Sequence, residues 1–197
     1  MGEVSSAEKY ILKSNQFGDA GNSDSALYNI QKLVEENPES YDAYNRLGLV
    51  YGGRKEMLLS EEAYKKAIEL NPDNYEAYTR LCGQHIMYGF YAILPEDNRD
   101  IEKGREYTEK LIELKPNRAH GYHFKANSFR QTAEFKKAIP LYDKAIELSK
   151  GTDSEAAETY VSAHNLMFSG DFNKARERYK KAVKIAQDKK DFTTEGD

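Results

Sequence analysis

Residues 41–74 read YDAYNRLGLVYGGRKEMLLSEEAYKKAIELNPDN, and their reading decides the fold. Two helical runs, 41–53 and 57–71, end at Asn71-Pro72, where proline cannot continue a helix. Gly48 in the first run and Ser60 in the second are small, as two helices crossing closely require. Tyr44, Leu47, Tyr51, Tyr64 and Ala67 supply the apolar faces at helical spacing.

The same unit recurs on both sides. Pro38 and Pro72 stand 34 residues apart, and Pro72 and Pro116 are 44 apart, one period plus ten inserted residues. These marks divide the chain into a tail, 1–6, and repeats at 7–40, 41–74, 75–118 (with the insertion near 90–99), 119–152 and 156–189, followed by a tail at 190–197. Positions not used to set this register agree with it. The small slot of the first helix holds Ser14, Gly48, Cys82, Ala126 and Ala163; that of the second holds Ala26, Ser60, Gly104, Ala138 and Ala175. About a quarter of average sequence is this small, so full agreement at these positions is not a product of chance. Large residues recur as well: Tyr10, Tyr44, Tyr78 and Tyr122 share one slot, and Phe17, Tyr51, His85, Phe129 and Leu166 another.

This period and order of residues resemble the tetratricopeptide repeat (TPR), most fully in Tyr44-x-x-Leu47-Gly48-x-x-Tyr51, Ser60-x-x-x-Tyr64-x-x-Ala67 and Pro72. The resemblance implies an all-α fold, a right-handed superhelical solenoid of five helix pairs. Lys13 and Lys125 depart from the family's usual Leu, Thr108 from its aromatic, and Lys150 and Gln187 from its closing Pro. Neighbouring repeats share one core, so single departures are tolerated.

Composition narrows the function. With 29 Lys+Arg against 33 Asp+Glu the net charge is −4, which argues against general nucleic-acid binding. The longest apolar run, Phe90–Leu94, is far shorter than the ~20 residues of a membrane span. One cysteine, Cys82, excludes an internal disulfide framework; its close-packing slot predicts an inert thiol. The first residues contain no apolar core of a secretory signal, and a cytoplasmic location is expected. There is no Gly-rich phosphate loop, metal quartet or nucleophile–base–orienter set, so neither an enzyme nor a bound cofactor is expected.

Helix ends carry recognisable signals. Ser5-x-x-Glu8 and Asp73-x-x-Glu76 fit capping boxes, and Gly21, Gly89 and Gly170 fall where first helices must turn. Pro140 lies inside a second helix and should bend it, leaving the Lys136 carbonyl without its amide. The last helix, expected over 172–189, has no repeat after it and must cap itself or meet a partner. Between 172 and 190 it carries eight Lys or Arg against Glu177 and Asp188, read either as a solvated face or as a docking surface for an acidic partner.

The TPR resemblance implies that first helices line a concave groove that holds a peptide or a partner helix. The candidate groove residues are Asn15, Asn45, Arg46, Leu49, Thr79, Arg80, His120, His123, Phe124, Asn127, Arg130, Tyr160, His164 and Phe168. Asn15, Asn45 and Asn127 could clasp a peptide backbone, since an amide both donates and accepts. Phe124, Tyr160 and Phe168 would offer apolar surface. The carboxylate clamp that some family members use for chaperone C-termini is not expected: Glu76 stands where it needs Lys, and its best frame matches only at Asn15 and Arg80. His120, His123 and His164 could hold zinc only in principle, with no orienting carboxylate evident. Phe90, Ile93 and Leu94 in the insertion are expected either to thicken the core or to form a hydrophobic lip. The expected function is a non-catalytic interaction module for a protein or peptide, with no nucleic-acid or membrane partner. The alternatives are a homo-oligomeric scaffold assembled through the uncapped end and the targeting subunit of a larger enzyme complex.

Overall fold

A computed structural model of the chain describes residues 5–86 and 94–194, with side chains described through Lys189. Among the described residues there are ten α-helices and no strand. They are α1 (Ser6–Asp19), α2 (Ser23–Glu36), α3 (Tyr41–Gly53), α4 (Met57–Leu70), α5 (Tyr75–His85), α6 (Ile101–Leu114), α7 (Ala119–Gln131), α8 (Phe135–Ser149), α9 (Glu155–Phe168) and α10 (Phe172–Thr194); a 3₁₀ turn, Glu96–Asn98, precedes α6. The helices fall into two compact units, α1–α5 with residues 94–100 and α6–α10. Within each unit every helix packs on the one before and the one after it in the chain. No helix of the described residues is long and apolar enough to cross a membrane.

Local chemistry sets the helix starts. The Ser5 hydroxyl accepts from the Glu8 amide at 3.2 Å, and the Glu8 carboxylate accepts from the Ser5 amide at 2.9 Å, closing the expected capping box. Asn22 caps α2 and Ser40 caps α3 by accepting amide protons three residues on. At α5 the cap is Asn74, whose Oδ1 accepts from Ala77 N at 3.2 Å, and not the predicted Asp73. A tertiary partner for Asn74, described below, holds it in that role.

The ten small slots are all buried. A Cβ on Gly48 would lie 2.8 Å from the Tyr64 ring, so α3 meets α4 there only because the side chain is absent. Ser60 has a second role. Its hydroxyl donates to the Gly48 carbonyl at 2.7 Å and accepts from Gln84 Nε2 at 2.9 Å, tying α3, α4 and α5 together. The core of the first unit gathers Ile30, Leu33 and Ala43 with Tyr10, Ile11, Leu47 and Val50. That of the second gathers Ala126, Ala138 and Tyr142 with Phe129, Leu141 and Val161.

One turn position uses the left-handed backbone in the four repeats where it is described. Gly21 and Gly170 adopt φ 74° and 86°, as expected for glycine. Lys55 and Ala133 fill the same repeat position at φ 64° and 59°, where a Cβ is strained. Gly89 lies outside the described residues, as does the predicted extension of α5 to residue 91. α8 runs unbroken through Pro140, which sits on its exposed side, where water can reach the orphaned carbonyl. α10 is longer than expected, continuing to Thr194 through part of the predicted tail.

Candidate functional site

In the first unit the candidate residues separate by burial. Asn45 is buried, and its amide exchanges two hydrogen bonds with Asn74, at 3.2 and 3.0 Å. Burial and this pairing take it off the surface, which corrects the expectation that it clasps a peptide. Arg46 pairs with Asp42 at 2.9 Å, and Arg80 lies 3.6 Å from Glu76. Both arginines thus stand one helical turn beyond a carboxylate that offsets their charge. Thr79 turns its hydroxyl onto the Tyr75 carbonyl at 2.8 Å. Asn15 is exposed on α1 and Leu49 is half exposed on α3; both line an open trough of about 710 Å³, with Arg54 at its edge. Arg54 is held by Asp24 at 2.5 Å and Glu56 at 2.8 Å.

The insertion contributes no lip at Leu94, which is 2% exposed and whose amide donates to the Gln84 carbonyl at 3.2 Å. Phe90 and Ile93 lie outside the described residues. His85 is a buried core residue: the Asp100 amide donates to its Nδ1 at 3.1 Å, and Glu61 lies 3.3 Å from Nε2. An amide donor at Nδ1 places the proton of a neutral ring on Nε2, facing the carboxylate. Cys82 is fully buried, and burial pushes its thiol pKa well up, away from nucleophilic thiolate.

In the second unit three predicted groove residues are core. Phe124 is 0% exposed, so the apolar surface expected of it is absent. Asn127 is fully buried and its Oδ1 accepts from the Tyr142 hydroxyl at 2.7 Å and from Arg130 Nε at 3.3 Å, which also tethers Arg130. His123 is buried with its Nδ1 on the Glu158 carboxylate, 35 residues away. That carboxylate is the orienting partner that the sequence left unseen. It binds His123 into the core, while His120 of the same helix is exposed. Among the described residues no three His, Cys, Asp or Glu side chains gather as a metal site.

What remains outside is an aromatic strip on α9. Tyr160 is 50% and Phe168 52% exposed, and His164 lies between them with ring centroids 5.5 and 5.9 Å away. Tyr179 of α10 braces Tyr160 at 5.3 Å, and Phe135 stacks on Phe168 at 5.6 Å. Phe135 and Tyr179 were not expected at the site, since they belong to second helices. Met167, Phe172 and Val183 are also exposed beside it. The sequence held a signal for Phe172 and Val183, apolar residues at helical spacing on a helix whose outer face was read for its charge.

This arrangement can be set beside known proteins. Family models described as tetratricopeptide repeat match residues 41–74, 119–152 and 159–189. No curated protein matches the chain. Solved structures do: a crystal structure of MamA protein is 19% identical, with TM-score 0.76 over 95% of each chain. MamA from Desulfovibrio magneticus RS-1 is 14% identical, with TM-score 0.76 over 95% of this chain and 98% of that one. PilF of Pseudomonas aeruginosa is 22% identical, with TM-score 0.69 over 91% of this chain and 76% of that one. At such identities these likenesses establish the fold, the all-helical fold of tetratricopeptide repeats, with ten helices among the described residues. With the matched repeats taking in just over half of its residues, the chain belongs to the tetratricopeptide repeat family.

Proposed function

We propose that this protein is a non-catalytic scaffold that binds a protein or peptide partner on the first-helix faces of its repeats, taken as 7–40, 41–74, 75–118, 119–152 and 156–189. Tetratricopeptide repeats serve generally as protein-interaction scaffolds. The observation that carries the finer reading is the strip Tyr160–His164–Phe168, aromatic, half exposed and already ordered by its own ring contacts. Rings held in place before binding lose little side-chain entropy on contact, and aromatic anchors supply most of the energy of small interfaces. His120 and, in the first unit, Asn15 with Leu49 are the other exposed candidates.

A carboxylate-clamp mode is disfavoured by charge. Arg46 and Arg80 each sit beside an acidic neighbour, and Glu76 would repel an incoming carboxylate. The test is affinity capture with the wild-type chain and with Tyr160→Ala/Phe168→Ala, each checked by thermal melting. Loss of the captured partner from a variant that melts normally supports this reading; undiminished capture refutes it. Phe124→Ala is not a usable probe, because that ring is in the core.

A further inference from the structure

The last helix, α10, differs from its counterpart one repeat earlier in a directed way. On α8, Tyr142 is fully buried, in a cluster with Val161 of α9. The equivalent Tyr179 and Val183 of α10 meet no following helix among the described residues. With Met167 and Phe172 they floor an open trough of about 630 Å³, and Phe172 and Val183 are 66% and 53% exposed. The cover that α9 gives α8 indicates what shape fits here, namely a helix.

Charge indicates which helix. Arg176, Lys180 and Lys184 line the trough at intervals of one turn, and among the described residues no carboxylate lines it. Their counterparts on α8 are Ile139, Asp143 and Glu147, so the basic row is specific to the terminal repeat. Three other cations of α10 are already occupied, Lys174 by Asp171 at 2.9 Å, Arg178 by Asp143 at 2.7 Å and Lys189 by Asp153 at 3.0 Å, while Lys181 is exposed but does not line the trough. Lys180 has only an exposed Glu177 at 3.2 Å, and Arg176 and Lys184 make no ion pair among the described residues.

We propose that this trough docks one amphipathic helix of a partner protein, with a row of Asp or Glu along the edge of its apolar face. A bilayer takes the single apolar face of one helix, whereas this floor joins Met167 of α9 to the apolar residues of α10, a two-helix trough that suits an incoming helix. Carboxylates spaced four residues apart on the incoming helix would meet Arg176, Lys180 and Lys184 in turn.

The probe is a fluorescent synthetic helical peptide of about 18 residues, long enough to hold a helix, with Leu on one face and Glu on its flanks; a second peptide has Lys in place of Glu. Anisotropy should show the acidic peptide binding and the basic one not. Arg176→Glu/Lys184→Glu should weaken binding by about tenfold or more while melting is unchanged. Val183→Asp should weaken it independently. Equal binding of the two peptides, or undiminished binding to the double variant, overturns the proposal. Dimerisation in light scattering that Val183→Asp abolishes would assign the trough to a second copy instead. Sedimentation with anionic vesicles that the double variant loses would assign it to a membrane. Either outcome also overturns the proposal.

Discussion

Asn45 and Asn74 exchange two amide hydrogen bonds, at 3.2 and 3.0 Å, between the middle of α3 and the residue that caps α5, and both are buried. The same Asn74 oxygen caps α5 through Ala77 N. One side chain therefore starts a helix and locks it to its neighbour. Asn45→Ala takes away the partner of the buried Asn74 amide nitrogen, while the Asn74 oxygen keeps Ala77 N, and should cost about 1–3 kcal/mol in urea unfolding. Asn74→Ala removes the cap as well and should cost more. Asn74→Asp keeps the acceptor and should fall between wild type and Asn74→Ala.

The shared left-handed turn position gives a prediction of opposite sign. Lys55 and Ala133 hold φ near 60° at a cost that glycine avoids. Lys55→Gly and Ala133→Gly should each raise stability by roughly 0.5–1 kcal/mol, read as a shift in urea midpoint at constant slope. Gly21→Ala and Gly170→Ala should lower it by a similar amount. A loss of stability in both glycine variants would contradict this account of the turn.

Gly48 and Tyr64 make a close crossing of α3 and α4. Gly48→Ala would push a methyl to within 2.8 Å of the ring and should cost about 1–3 kcal/mol through overpacking. Adding Tyr64→Leu to Gly48→Ala should restore part of the loss, because the ring that clashes is gone. A double-mutant cycle in denaturant measures that coupling.

Acid stability should report on Glu134. Hydrogen bonds from Lys137, Thr132 and Arg105 hold its carboxyl at about 2, below the ordinary 4.5. Because the folded value is depressed, its contribution is present above pH 4.5 and is lost as pH falls through about 2. Glu134→Gln should therefore flatten stability between those limits and change little near neutrality beyond a constant offset. At the alkaline end the sign reverses. Burial pushes the Tyr64 phenol up to about 12 from 10, so its contribution holds below pH 10 and fades as pH rises through 12. Tyr64→Phe should remove that fade in a pH-dependent melting series.

Much of the fold was legible without coordinates. The period, the small slots at positions such as Gly48 and Ala138, and the cap at Ser5 are local or strictly repeated properties, and local properties can be read along a chain. The candidate surface was legible only in part. Phe124 and Phe168 both lie on first-helix faces that the repeat register offered as groove, yet one is 0% and the other 52% exposed. Asp73 also looked a better cap than Asn74 until Asn45 was seen to hold the latter.

The sequence by itself determined the helices, their pairing order and the positions where they touch, because helical periodicity and side-chain size act over a few residues and then recur. Only the tertiary structure decided which of the face residues remain available to a partner. That choice depends on how wide a sector each neighbour covers, and on hydrogen-bond partners such as Glu158 for His123 or Asn74 for Asn45, which stand 35 and 29 residues away and carry no periodic signal.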